Sequence, residues 1–313
     1  MSRFVIMADS TCDLPEEFQK QYDVEIVPAH IILPDKRDLP AMPEWKYFGR
    51  EEFYSALKSN PESFATSPPN IAEFADAFER CVSEGKEVLC LTISGGISGA
   101  IGFATTAKNT VLEKYPDAKI ELVDSRRFGP AVGLMTVHAA MLREEGKSID
   151  EVKAYLEENK NRYRQAGWLD DLSFVAKKGR LTHAKAFLGT LAGIKPIGEF
   201  DYNGLTTVIG KVKGANTAYS VLMQYIEQTI EDPSEQIIFI AQTNRLEQAK
   251  VYKTMIEEKF RPKAVYIHDV HCVCGVNVGP GLMAAYYVGK PITSDLAEER
   301  KIIENALSGG TEK

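Results

Sequence analysis

Three features of this sequence predict an α/β fold of two domains. Short apolar runs at Phe4–Met7, Val88–Ile93 and Lys119–Val123 alternate with segments of helical period, the rhythm of a parallel sheet covered by helices on both faces. Past a charged helical stretch the second half turns to a hairpin pattern, which predicts a smaller α/β domain with a mixed sheet. The length, 313 residues, suits two cores better than one. The expected divisions are an N-terminal domain over 1–150, a C-terminal domain over 151–307 and a flexible tail over 308–313.

Taken in order, Phe4–Met7 is a strand ending at Asp9-Ser10-Thr11, and Glu25–Ala29 a second, stopped near Pro28. The polar, proline-interrupted region Pro34–Pro43 reads as a connection. Glu51–Lys58 sets Phe53, Tyr54 and Leu57 on one side of a helix. Ile71–Val82, entered through Pro69-Asn70, gathers Phe74, Ala75, Phe78 and Val82 on one face. The Val88–Ile93 strand leads through Ser94-Gly95-Gly96-Ile97-Ser98-Gly99 into a helix over Ser98–Tyr115. Lys119–Val123 is a strand ending in Asp124-Ser125, and Pro130–Glu144 a helix stopped by Gly146.

Ser148–Tyr163 predicts a bridging helix, and another is expected at Thr182–Ala192. Pro196–Phe200 and Leu205–Val212 form a hairpin through Asp201-Tyr202-Asn203-Gly204, whose Asn-Gly suits a tight turn. Ala215–Ile230 and Leu246–Phe260 read as helices, Gln236–Ala241 and Ala264–His268 as strands. Leu282–Val288 reads as a helix after the corner Asn277-Val278-Gly279-Pro280-Gly281.

Composition narrows the function. With 44% hydrophobic and 26% charged residues this is an ordinary globular chain, and a net charge of -7 argues against a general nucleic-acid surface. No uncharged apolar stretch is long enough to span a bilayer, and Asp9 interrupts the only apolar run near the start, so no signal peptide is read and a cytoplasmic location is expected. Cys81 and Cys90 sit in apolar-periodic contexts as buried thiols; Cys12, in the first turn region, is left open to exposure. His268-Asp269-Val270-His271-Cys272-Val273-Cys274 is dense in metal-ligand types. Read as a strand it points Cys272 and Cys274 one way and His271 the other, and no second cluster completes a site, so no metal is expected.

Two hydroxyl-rich corners carry the chemistry, Thr66-Ser67-Pro68-Pro69 and Ser94 to Gly99. Backbone N–H groups and hydroxyls at a helix start can hold an oxyanion. Neither corner supplies the base a serine nucleophile needs, so they read as holding an anion rather than attacking one. Capping is the competing role for Thr66, Ser67 and Ser98. The glycines fit neither the dinucleotide nor the nucleotide P-loop spacing. Arg180, in Lys177-Lys178-Gly179-Arg180, is either an anion clamp or part of a solvated turn. An enzyme acting on a small carboxylate or phosphate through Ser94, Asp9 or Asp124 stays open as the alternative.

At these residues the chain resembles the DegV family of bacterial fatty-acid-binding proteins. The matching pieces are Asp9-Ser10-Thr11-Cys12-Asp13-Leu14-Pro15, Thr66-Ser67-Pro68-Pro69, Ser94-Gly95, Asp124-Ser125, Lys178-Gly179-Arg180-Leu181, then Leu188-Gly189 with Ile194-Lys195-Pro196-Ile197, and Val278-Gly279-Pro280-Gly281. The resemblance implies a DegV-like two-domain fold with a long-chain fatty acid in a tunnel between the domains. Its carboxylate would be held by Thr66, Ser67 and Ser94 with Gly95, and Arg180 nearby. It further implies a non-catalytic subunit without cofactor, which presents that carboxylate to a separate ATP-dependent fatty acid kinase feeding phospholipid synthesis, with transient membrane contact. Two departures stand out: Asn277 replaces the family's histidine, and Gly96-Ile97-Ser98-Gly99 replaces the threonine-tyrosine-glutamine-serine that follows the family's serine-glycine.

Overall fold

A computed structural model describes residues 4–183 and 193–309. Four parallel strands form the first sheet, in the order β2-β1-β6-β7: β1 (Val5–Asp9), β2 (Val24–Val27), β6 (Val88–Thr92) and β7 (Ile120–Asp124). Between β2 and β6 the chain builds a small antiparallel sheet from β3 (Ala29–Ile32), β4 (Asp38–Ala41) and β5 (Ala65–Ser67). β4 lies inside the region read as a connection; Pro40 is tolerated because β4 is an edge strand.

Helices α1 (Glu16–Gln21), α2 (Arg50–Ser59), α3 (Ile71–Ser83), α4 (Ala100–Lys114), α5 (Gly129–Glu144) and α6 (Ile149–Asn159) complete this half. The observed bounds of α2 to α5 lie within two residues of those predicted. An end to the first domain at residue 150 falls in the first turn of α6. Twelve of the sixteen residues of α5 are buried, as its all-round apolar sequence requires. It packs against β1 on one side and against the second sheet on the other. Gly133 makes that fit possible, since a Cβ there would lie 2.7 Å from the Cys12 carbonyl oxygen. One buried cluster therefore runs from Phe4 through α5 to Tyr286.

The second sheet has six strands in the order β10-β9-β8-β13-β11-β12 and mixed direction. Its members are β8 (Tyr163–Leu169), β9 (Ile194–Phe200), β10 (Thr206–Lys213), β11 (Ile237–Gln242), β12 (Ala264–Asp269) and β13 (Leu282–Val288). Helices α7 (Ser173–Lys177), α8 (Ala215–Thr229), α9 (Leu246–Phe260), α10 (Cys272–Val278) and α11 (Ala297–Ser308) accompany it.

Three expectations are corrected here. The predicted bridging helix ends at Asn159, and Tyr163 opens the strand β8. Leu282–Val288 is a strand, β13, between β8 and β11; its unbroken apolar run fits burial on both faces equally well. The Cys272–Cys274 segment is helical, so the strand geometry assumed for it does not hold. Cys12 is fully buried, like the other four cysteines. The hairpin β9–β10 forms as read. Most of the helix expected at Thr182–Ala192, with Leu188-Gly189, lies outside the described residues, as do residues 310–313 of the expected tail.

Candidate functional site

β8, β9 and β10 present one face of the mixed sheet to the N-terminal half. Strand alternation decides what that face shows: Gln165, Gly167 and Leu169, then Pro196, Gly198 and Phe200, then Thr206 and Val208. Ile197 and Glu199 point to the opposite side, into the second core and a buried ion cluster. Opposite that face stand the Thr66–Pro68 corner, Ile93, the Ile97–Gly99 loop and Phe128, with α10 closing one wall. The cavity between them measures about 150 Å³ and is mostly apolar.

Thr66 and Ser67 end β5, whose pairing with β3 sets Ser67 opposite His30. Asn70 then caps α3: its Oδ1 accepts from the Glu73 N–H at 3.0 Å, and the Glu73 carboxylate accepts from the Asn70 N–H at 2.7 Å. The corner is thus held by a strand before it and a capped helix after it. Asn277 arrives from α10 and donates through Nδ2 to Thr66 Oγ1 at 3.1 Å and to the Val273 carbonyl at 3.0 Å. Ser67 lines the cavity, and its Oγ has no hydrogen-bond partner among the described residues.

Arg180 is half-buried on the same wall. Its Nε donates to the Ile97 carbonyl at 3.2 Å and Nη1 donates to the Lys178 carbonyl, with no carboxylate partner among the described residues. Thr66 with Ser67, Arg180 and Asn277 are therefore brought to one cavity from three separate parts of the chain.

Ser94 and Gly95 are placed differently from the expected direct contact. The fully buried Ser94 Oγ donates to the Gly204 carbonyl at 2.7 Å and accepts from the Gly96 N–H at 3.1 Å. It ties its corner to the β9–β10 hairpin and stands outside the cavity wall. Gly95 N–H donates to Asp124 Oδ1 at 2.9 Å, where Arg126 N–H also donates at 3.0 Å. Of the same loop, Ser98 and Gly99 do line the cavity, and Ser98 Oγ accepts from the Ala100 N–H at 3.3 Å at the start of α4.

The carboxylates of the enzymatic alternative hold backbone. Asp9 accepts from the N–H and hydroxyl of Thr11 and, through its other oxygen, from the Ile93 N–H at 2.9 Å. Burial, opposed by those hydrogen bonds, pushes its carboxyl above the usual range. Neither Asp9 nor Asp124 lines the cavity.

Sequence reasoning missed Thr11, Gln165 and Cys274 on the wall. Gln165 Nε2 donates to the Gly198 carbonyl at 3.2 Å, and its Oε1 accepts from the Tyr286 hydroxyl at 2.9 Å. Cys274 Sγ donates to the Thr11 carbonyl at 3.4 Å, and burial pushes its thiol well up. Strand parity would have found Gln165 had β8 been recognised. α10 is fixed from the other half of the chain: Asp13 Oδ1 accepts from the His271 N–H at 2.9 Å, and Tyr54 donates to the Val270 carbonyl at 2.6 Å. Among the described residues no group of three or more His, Cys, Asp or Glu could hold a metal ion, and no helix is long and apolar enough to cross a membrane.

The sequence profile of an uncharacterised protein family, DegV, matches residues 3–290. A DegV domain-containing protein of Clostridium perfringens is 33% identical over 294 residues, covering 92% of this chain and 98% of its own. One from Clostridium acetobutylicum is 32% identical over 288 residues, covering 91% and 98%. Among solved structures, a DegV family protein of Thermus thermophilus described as binding fatty acid matches at TM-score 0.81 and 24% identity, over 91% of this chain and 99% of that one. Bacillus subtilis DegV, described as a fatty acid binding protein, matches at TM-score 0.77 and 25% identity, over 93% and 100%.

Proposed function

The chain belongs to the DegV family, and from that premise we propose that it binds a long-chain fatty acid in the cavity between its two halves. One observation carries the reading: the wall of one apolar cavity carries both Arg180, a cation without a carboxylate partner among the described residues, and Ser67, whose hydroxyl has no hydrogen-bond partner among them. A monocarboxylate with an apolar tail complements both. Thr66, Ser67, Asn277 and Arg180 take the carboxylate, a charge-assisted contact for Arg180. Ser94 and Gly95 hold the neighbouring corner in shape. Each buried methylene of the tail contributes about 0.8 kcal/mol, so the chain supplies most of the affinity and the polar wall fixes where the head lies.

In this reading the protein is a substrate-presenting subunit with no cofactor. A separate ATP-dependent kinase phosphorylates the bound carboxylate to an acyl phosphate that feeds phospholipid synthesis, in the cytoplasm and with transient membrane contact. Native mass measurement of the purified protein, followed by solvent extraction, tests the first part. The expected result is one fatty acid per chain; an empty protein that takes up no added stearic acid overturns it. Acyl phosphate formed from ATP by this protein alone would refute the division of labour.

A further inference from the structure

Gly198 occupies the middle of β9 on the cavity face, opposite Val208 of β10. Glycine weakens a strand interior, so its presence there needs a cause. A left-handed backbone is not that cause, because Gly198 is absent from the positive-φ positions, and the register shift beside it inserts its extra residue, Ile209, in β10 and not in β9. Local crowding is not the cause either. A Cβ built on Gly198 would meet nothing closer than Gln165 Nε2 at 3.7 Å, with Thr206 Cγ2 and the Thr207 carbonyl oxygen at 3.8 Å, all ordinary contact distances. Gly167, on the neighbouring strand, is the opposite case: its Cβ would lie 2.3 Å from both the Ala284 Cβ and the Met283 carbonyl oxygen, so packing alone forbids a side chain there.

What Gly198 spares is the cavity itself. Its missing side chain would project between Gln165 and Thr206, both on the wall, and its three nearest atoms belong to Gln165, Thr206 and Thr207, none of them from Thr66, Ser67, Arg180 or Asn277. We propose that Gly198 is a specificity-determining residue that keeps the channel open along the mixed sheet and sets how long an acyl chain is accepted. This rests on the fatty-acid reading above. A side chain at 198 takes space from the tail and leaves the head contacts untouched, so long chains lose affinity while short ones do not.

The test compares Gly198→Leu and Gly198→Ala with the unaltered protein, measuring Kd for lauric and stearic acid by displacement of a fluorescent fatty acid. Gly198→Leu is expected to weaken stearic acid about tenfold or more, the equivalent of roughly two buried methylenes, and to leave lauric acid within about twofold. Gly198→Ala, whose Cβ fits at van der Waals distance, is expected to fold and to shift the preference the same way by less. Unchanged stearic-to-lauric ratios in folded variants overturn the proposal while leaving fatty acid binding intact. Failure of the unaltered protein to bind either acid overturns both.

Discussion

Asn277 Nδ2 donates to Thr66 Oγ1 across 3.1 Å, joining α10 of the mixed-sheet half to β5 of the other. The bond orients the Thr66 hydroxyl, whose acceptor side is engaged by Asn277, so its own hydrogen is left to donate to an anion. Asparagine performs this without carrying charge, where a histidine would titrate near neutrality.

Replacing Asn277 by Asp keeps the shape and puts a carboxylate beside the proposed head site. Asn277→Asp is expected to lower fatty acid affinity at least about tenfold at neutral pH, through like-charge repulsion and loss of the donor to Thr66. Asn277→His is expected to retain fatty acid and, if the proposed separate kinase acts on the bound carboxylate, to raise acyl phosphate formation. Equal affinity of the Asp variant and the unaltered protein, measured by titration calorimetry, would remove Asn277 from the site.

Ser94→Ala separates a structural hydroxyl from a ligand contact. Loss of its buried hydrogen bond to the Gly204 carbonyl is expected to cost about 1–3 kcal/mol of stability, because the carbonyl and the Gly96 N–H lose their partner. Urea unfolding reads that cost. Ser67→Ala should do the reverse, weakening fatty acid retention with little change in stability. Unchanged stability of Ser94→Ala together with lost retention would put Ser94 in direct contact with ligand.

His30 links the small sheet to α3. Its ring nitrogens meet Asp38 Oδ1 at 2.8 Å and Glu73 Oε1 at 2.7 Å, one residue pair away from Thr66 in the β3–β5 register. Burial opposes its charge, but the two carboxylates outweigh burial and hold it above the ordinary value of 6.5. A raised folded pKa means that this stabilisation is complete below pH 6.5 and is lost as pH rises through the folded value. His30→Gln is therefore expected to cost about 1 kcal/mol at mildly acidic pH and less at alkaline pH. Unfolding midpoints that differ equally at both ends of the range would contradict this.

Glu199 sits behind the cavity face, fully buried, where its carboxylate accepts from the N–H groups of Gln165 and Phe200 and from the Tyr225 hydroxyl, with Arg164 Nε 3.3 Å away. Removing it strands Arg164 with Glu299 as its remaining carboxylate. Glu199→Ala is expected to lower stability by about 3–5 kcal/mol. A change below about 1 kcal/mol in guanidinium unfolding would show that the cluster does not hold β8 to β9.

How much of this was legible beforehand differs by element. Alternation and caps located α3, α4, β6 and the β9–β10 hairpin, because each is specified by neighbours within a few residues. β8 escaped because Arg164, Gln165 and Gly167 break its apolar pattern; the partners that make burial acceptable, Glu199, Tyr286 and Ala284, lie far along the chain. α10 escaped because Cys-Val-Cys-Gly-Val favours a strand locally, and Asp13 and Tyr54, which help fix its start, lie more than two hundred residues earlier.

The sequence by itself determined the α/β class, the family, and the identity of Thr66, Ser67, Arg180 and Asn277 as residues of interest. Folding alone decided which of them share a cavity, that Ser94 reaches the hairpin instead, and that Gly198 lies on the cavity wall. The physical reason is range. Propensity and periodicity act over a turn or two of chain, whereas a cavity is what remains unfilled where side chains from distant segments fail to meet.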